Sequence, residues 1–140
     1  MRLQLDVSAG ELVDRITILE LKLKLLPPVY RMELRLTLER ARHVLEQAMQ
    51  PSRRLLELTD ALRLVNSELW DTEEELRSCE RRGDFGERFI QLARTVYTAN
   101  DRRATLKSEI DALGECDIRE LKSYALPETR NIATLPGHKF

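Results

Sequence analysis

The chain has 140 residues, 42% hydrophobic and 34% charged, with five glycines, five prolines and a formal net charge of −1. That length holds one ordinary domain able to bury its own core, and the composition is too apolar for a disordered chain. Residues 1–70 carry eleven Lys/Arg against ten Asp/Glu, so neither half is basic, which counts against nucleic acid as a partner.

Residues 1–7 alternate apolar Leu3, Leu5 and Val7 with polar Arg2, Gln4 and Asp6, the period-two pattern of an extended segment with one apolar side. A strand this short needs a partner strand from elsewhere. Ser8-Ala9-Gly10-Glu11 then matches a capping box, and Val7 with Leu12 a hydrophobic staple, so a first helix starts here. Its seam is Leu12, Ile16, Leu19, Leu23 and Leu26, with Ile18, Leu21 and Leu25 beside it. So wide an apolar arc is expected at the centre of a bundle or under another subunit. Pro27-Pro28 ends the helix.

A second helix is expected over about residues 29–49, on Leu34, Leu38, Ala41, Leu45 and Ala48, with Pro51 opening a third. The third runs over 52–82 on Leu55, Leu58, Leu62, Val65, Leu69, Thr72, Leu76 and Cys79, roughly 45 Å at the α-helical rise. Gly83-Asp84-Phe85-Gly86 makes a turn, with Asp84 and Glu87 placed to cap the next helix. The fourth helix is expected over 86–113 on Phe89, Leu92, Val96, Ala99, Arg103, Leu106, Ile110 and Leu113, with Gly114 ending it in left-handed geometry. A short helix over 118–124, capped by Asp117, and a tail over 125–140 follow. Leu126, Ile132, Leu135 and Phe140 make that tail apolar enough to dock.

The expected fold is all-α, a helical bundle of two antiparallel hairpins, the second (52–113) a long coiled-coil-like pair. Residues 1–124 form the single domain and 125–140 the tail. Two cysteines, Cys79 and Cys116, are too few for a disulfide-stapled secreted domain. Residues 1–30 show no secretory leader, and no run nears the roughly 20 apolar residues of a membrane span. A cytoplasmic protein without a membrane partner is expected.

In the long hairpin, a turn centred on Asp84 places facing residues at numbers summing to about 169. Asn66 then meets Arg103, Leu69 meets Asn100, and Glu73 meets Val96. Asn66, Trp70, Glu73 and Arg77 of the third helix are expected to converge with Arg94, Tyr97, Asn100, Arg103 and Lys107 of the fourth. Arg103 stands on an apolar stripe, where a charge is costly unless paired and hydrogen-bonded. One reading is a site for a small anionic or carbonyl-bearing ligand. Arg and Lys would clamp it, Asn orient it, and Trp70 or Tyr97 stack on it. The other is a buried polar layer that fixes helix register.

Other chemistry finds less support. The acidic run 71–75, with its Glu73→Arg77 i,i+4 pair, reads as a solvated face. Glu11 and Asp14 can add a second carboxylate pair for a magnesium-type site, but nothing in the spacing requires one. His43 and His138 provide no Glu-x-x-His unit, no cysteine pair has zinc spacing, and no Gly-rich phosphate loop occurs, so neither metal nor cofactor is expected. Cys79, on the seam, reads as a small buried apolar residue.

Residues 8–20, Ser-Ala-Gly-Glu-Leu-Val-Asp-Arg-Ile-Thr-Ile-Leu-Glu, resemble the opening of a family of short, uncharacterised, mainly bacterial all-helical proteins. Its pattern is Ser-x-Gly-Glu-Leu-x-Asp-Lys-Ile-Thr-Ile-Leu-Glu, and Arg15 stands where the pattern has Lys. Residues 65–70, 89–94, 96–97, 100–104 and 120–124 are similar to it as well. The resemblance implies no reaction. It implies that the segments around 11–20, 66–70 and 94–103 belong to one unit.

Three functions are therefore in view. The first is a helical interaction module, a homodimer joined through the first helix and the tail. The second is a small-anion-binding protein or enzyme with its site between the third and fourth helices, by fold-level analogy with helical enzymes of the chorismate-mutase type. The third, and weakest, is nucleic-acid contact through the arginines of 31–42.

Overall fold

The structure, a computed structural model, describes Met1 and residues 3–114. The helix expected over 118–124 and the tail over 125–140 lie outside the described residues. Within them the order is α1 (Ala9–Leu25), a 3₁₀ turn (Pro28–Tyr30), α2 (Arg31–Ala48), α3 (Arg53–Arg82) and α4 (Glu87–Leu113). The fold is an all-α bundle, with no strand among the described residues.

Local chemistry sets the ends of these helices. Ser8 caps α1, its Oγ accepting from the Glu11 N–H at 3.2 Å. Pro28 begins the 3₁₀ turn, which the Tyr30 N–H closes on the Pro27 carbonyl at 3.1 Å, so α2 starts at Arg31 rather than at residue 29. Pro51 stays outside α3; the cap is Ser52, whose Oγ accepts from the Leu55 N–H at 3.1 Å. Gly83 ends α3 at φ 65°, with its N–H on the Glu80 carbonyl and the Asp84 N–H on that of Cys79. The Asp84 carboxylate accepts from the Gly86 N–H at 3.2 Å, a two-residue turn in place of the expected cap on α4. Gly114 caps α4 without turning left-handed: at φ −85° and ψ 2° it keeps a helical N–H bond to the Ile110 carbonyl.

The bundle is organised around α1, which packs against α2, α3 and α4, while α3 and α4 pack along each other. The two sides of α1 divide this work. Ile16 and Leu19, with Leu12 and Leu23, close on Leu34, Leu38, Ala41 and Leu45 of α2. Val13 inserts among Leu55, Leu58 and Leu62 of α3 and Ile110 of α4. Farther along the hairpin, Val65, Leu69 and Ala99 continue the seam. Burying one such leucine or valine stabilises by about 1.5–3 kcal/mol. The seam of α1 is thus covered within the chain, while Ile18 and Leu21 beside it stay half-buried and Leu25 is exposed. Cys79 is buried on the α3 seam.

Candidate functional site

The helix spacing that buries Val13 and Ile16 also turns Gly10, Asp14 and Thr17 of α1 towards the α3–α4 hairpin. All three are buried, Asp14 to 1% exposure. A carboxylate so placed is costly unless its lone pairs are taken up. Arg103 of α4 meets it with two prongs, Nε to Oδ1 at 2.8 Å and Nη2 to Oδ2 at 2.5 Å. Asn66 of α3 donates from Nδ2 to Asp14 Oδ1 and to Thr17 Oγ, both at 2.9 Å. The Thr17 hydroxyl donates to the Asp14 carbonyl at 2.8 Å. One carboxylate on α1 therefore ties together all three helices of the central packing.

A second tie lies one turn nearer the start of α1. Lys107 is buried, with its ammonium 2.6 Å from Glu11 Oε2. The Gly10 N–H donates to Asp111 Oδ1 at 2.6 Å, bringing an anion to the α1 N-terminus, where helix partial charge favours one. Here the backbones nearly touch: a Cβ on Gly10 would fall on the Lys107 carbonyl group. At the other end of α1, Glu20 accepts from Arg42 of α2 at 2.7 Å and from Arg63 of α3 at 2.7 and 3.2 Å. Burial pushes the Glu20 carboxyl up, but the hydrogen bonds and charges of Arg63 and Arg42 outweigh it and hold it below the ordinary 4.5. The same contact raises the Arg63 guanidinium further.

Apart from the exposed Arg15, the polar residues of the opening motif thus have structural partners. Ser8 caps the helix, Gly10 allows close approach, and Glu11, Asp14 and Glu20 hold Lys107, Arg103, Arg42 and Arg63. Glu11 and Asp14, weighed above as metal ligands, face cations instead. Among the described residues no group of three or more His, Cys, Asp or Glu is placed to hold a metal ion.

Of the nine residues expected to converge, Asn66 and Arg103 meet through Asp14. Trp70, Glu73 and Asn100 join them, with Ile18, Leu21 and Leu69, around a shallow cleft of about 140 Å³. The Arg103 Nη1 lies 3.5 Å from Asn100 Oδ1 at its floor. Lys107 belongs to the Glu11 tie instead. Arg77, Arg94 and Tyr97 do not converge with the rest. Arg77 pairs with Glu73 and Glu74 on the exposed face of its own helix, at 3.7 and 2.8 Å. Arg94 and Tyr97 are exposed on α4. Val96 packs on the seam, so Tyr97, about 100° further round the helix, faces out.

Two larger grooves lie elsewhere. One, about 630 Å³, runs between Leu3, Leu5 and Val7 on one side and Leu12 of α1 with Ala41 and Val44 of α2 on the other. The second, about 560 Å³, follows the outer face of the hairpin along Leu64, Val65, Asp101 and Leu106.

These features define a small all-α bundle whose first helix is pinned by carboxylates to the two helices of a long hairpin. The chain belongs to a family of unknown function, DUF6165, whose model matches residues 3–135. No curated protein and no solved structure matches it. Among the described residues no helix is long and apolar enough to cross a membrane.

Proposed function

We propose that the protein is a helical interaction module that works as a homodimer. The observation that carries this reading is the open groove ahead of α1, where Leu3 and Leu5 stand 83% and 87% exposed beside Leu12, Ala41 and Val44. Val44, Leu36 and Met32 of α2 are exposed as well, with Arg40 between Leu36 and Val44. Exposed leucines beside a groove of this size are the kind of surface an interaction site uses. The polar ties support the same reading. Asp14, Asn66, Thr17 and Arg103 satisfy one another, as a layer fixing the register of two hairpins requires. Such a layer holds the groove-bearing α1–α2 hairpin at a set angle to α3 and α4.

Multi-angle light scattering at micromolar protein tests the proposal. Twice the chain mass is the expected result, and the mass of one chain at every concentration up to the millimolar range would end the reading.

A second reading rests on the Trp70 cleft. Its volume suits only a small molecule, anionic or carbonyl-bearing, that reaches Asn100 and the edge of Arg103 and stacks on Trp70. Trp70 is the single tryptophan, so its fluorescence reports on the cleft directly. Titration with inorganic phosphate, citrate and benzoate checks this, and an unchanged spectrum with all three counts against it.

A further inference from the structure

We propose that the segment ahead of α1 pairs with the same segment of a second copy as a two-stranded antiparallel ribbon centred on Gln4. The proposal rests on the homodimer reading above and names its interface.

The segment is self-complementary. With Gln4 facing its own copy across a two-fold axis, Leu3 faces Leu5 of the partner subunit and Met1 faces Val7 of the partner subunit. Arg2 likewise faces Asp6 of the partner subunit. One side of the ribbon is then wholly apolar, and the other carries two opposite-charge pairs related by the axis. The alternatives lack this match. Parallel pairing sets Arg2 against Arg2 and Asp6 against Asp6. An antiparallel slip of one residue turns the leucines of one strand to the polar side. A slip of two separates Arg2 from Asp6.

The structure supplies what such a ribbon needs. Residues 3–7 join no helix and pair with no described strand, and Leu3 and Leu5 are almost fully exposed. Two strands alone are marginal in water and need an apolar surface beneath them. The groove beside these leucines has an apolar floor of Leu12, Ala41 and Val44 flanked by Glu11, Arg15, Thr37 and Arg40, and is the surface the ribbon covers, once on each copy. Strand addition of this kind draws on main-chain hydrogen bonds and on alternate side chains seated in a groove.

Charge exchange tests the register. Asp6→Arg sets arginine against Arg2, and Arg2→Asp sets aspartate against Asp6. Each variant is expected to weaken the dimer about tenfold in sedimentation equilibrium, as the loss of two symmetric charge pairs predicts. The double variant Arg2→Asp/Asp6→Arg is expected to restore it. All three should melt like the wild type at high concentration, because the segment lies outside the helical core. Gln4→Cys in a Cys116→Ser background provides an independent check. Facing Cα atoms near a two-fold axis lie about 4.5–5.5 Å apart, within disulfide reach, so oxidation should yield a covalent dimer.

A wild-type dimer that ignores the charge exchanges, or fails to cross-link through Gln4→Cys, overturns the ribbon and leaves the homodimer standing. A wild-type monomer removes both. With Cys116 retained, an intrachain disulfide from Gln4→Cys to Cys116 would assign the groove to the chain's own 115–140 segment and overturn the proposal.

Discussion

Asp14 and Arg103, 89 residues apart in the sequence, meet in a two-pronged ion pair at 2.8 and 2.5 Å that joins the first helix of the chain to α4. The carboxylate is almost fully buried, with 2% side-chain exposure, and the guanidinium is largely so at 28%. Removing one partner of such a pair strands the other in a poorly solvated place. Asp14→Ala is expected to destabilise the fold by about 3 kcal/mol in urea denaturation. It also leaves the Asn66 amide without its carboxylate. Replacing both partners, as Asp14→Leu/Arg103→Leu, should recover part of the loss, because no charge is then left alone. An Asp14→Ala variant as stable as the wild type would show that the tie contributes nothing to holding α1.

Gly10 is held by proximity rather than by backbone freedom. A Cβ there would collide with the Lys107 carbonyl, which belongs to the backbone of α4 and cannot swing aside. Gly10→Ala is therefore expected to cost about 1–3 kcal/mol by forcing α1 away from α4. Gly86→Ala is the control. Its added Cβ would lie 3.5 Å from Asp84 Oδ1, an ordinary contact, and the stability should stay within about 0.5 kcal/mol of wild type. Equal losses at the two positions would remove the close-packing argument.

Glu20 joins α1 to both α2 and α3, so its titration should be visible in the stability. Its folded-state pKa lies below the ordinary 4.5, which means the folded state favours the ionised form. The stabilisation is complete above about pH 4.5 and fades as the pH falls through the lower folded-state value. The arginine partners are half exposed, so solvent screening limits the effect to roughly 0.5–1 kcal/mol. Glu20→Gln is expected to be less stable than wild type by that amount at pH 7, with the gap closing towards pH 3. Urea titrations at both pH values check this, and a gap of constant size would mean that the charge on Glu20 is not what holds the three helices there.

Much of the helical layout could be read from the residues because it depends on local rules. Ser8 caps α1, three-four spacing runs through α3 and α4, and Gly83 breaks the chain between them. These features act within a few residues, where spacing and cap chemistry decide. The local expectations that failed did so at single residues. Pro51 carries the right residue type for a helix start, but Ser52 took over the role assigned to it; Gly114 does end α4, without the left-handed turn expected of it.

That Asn66 and Arg103 lie at one level of the hairpin was legible from its register, but Asp14, to which both bond, was not. Asp14 lies in the opening motif, and the sequence sign it left was a polar line, Gly10, Asp14 and Thr17, at helical spacing beside the apolar seam. A buried face that is polar along one line needs partners from outside its own helix, and spacing within α1 cannot name them. For the same reason Asp111 and Arg63 carried no mark of their roles.

A bundle of amphipathic helices was already implied by periodicity and caps, because both are short-range and every turn repeats them. The central place expected of α1 from its apolar arc is seen in its packing against α2, α3 and α4, but that its acids select Arg103, Lys107, Arg42 and Arg63 from the many basic residues of the chain was settled by the packing itself. Which charges meet depends on how three helices cross, and burial, which makes each unpaired charge costly, comes into force only when they do.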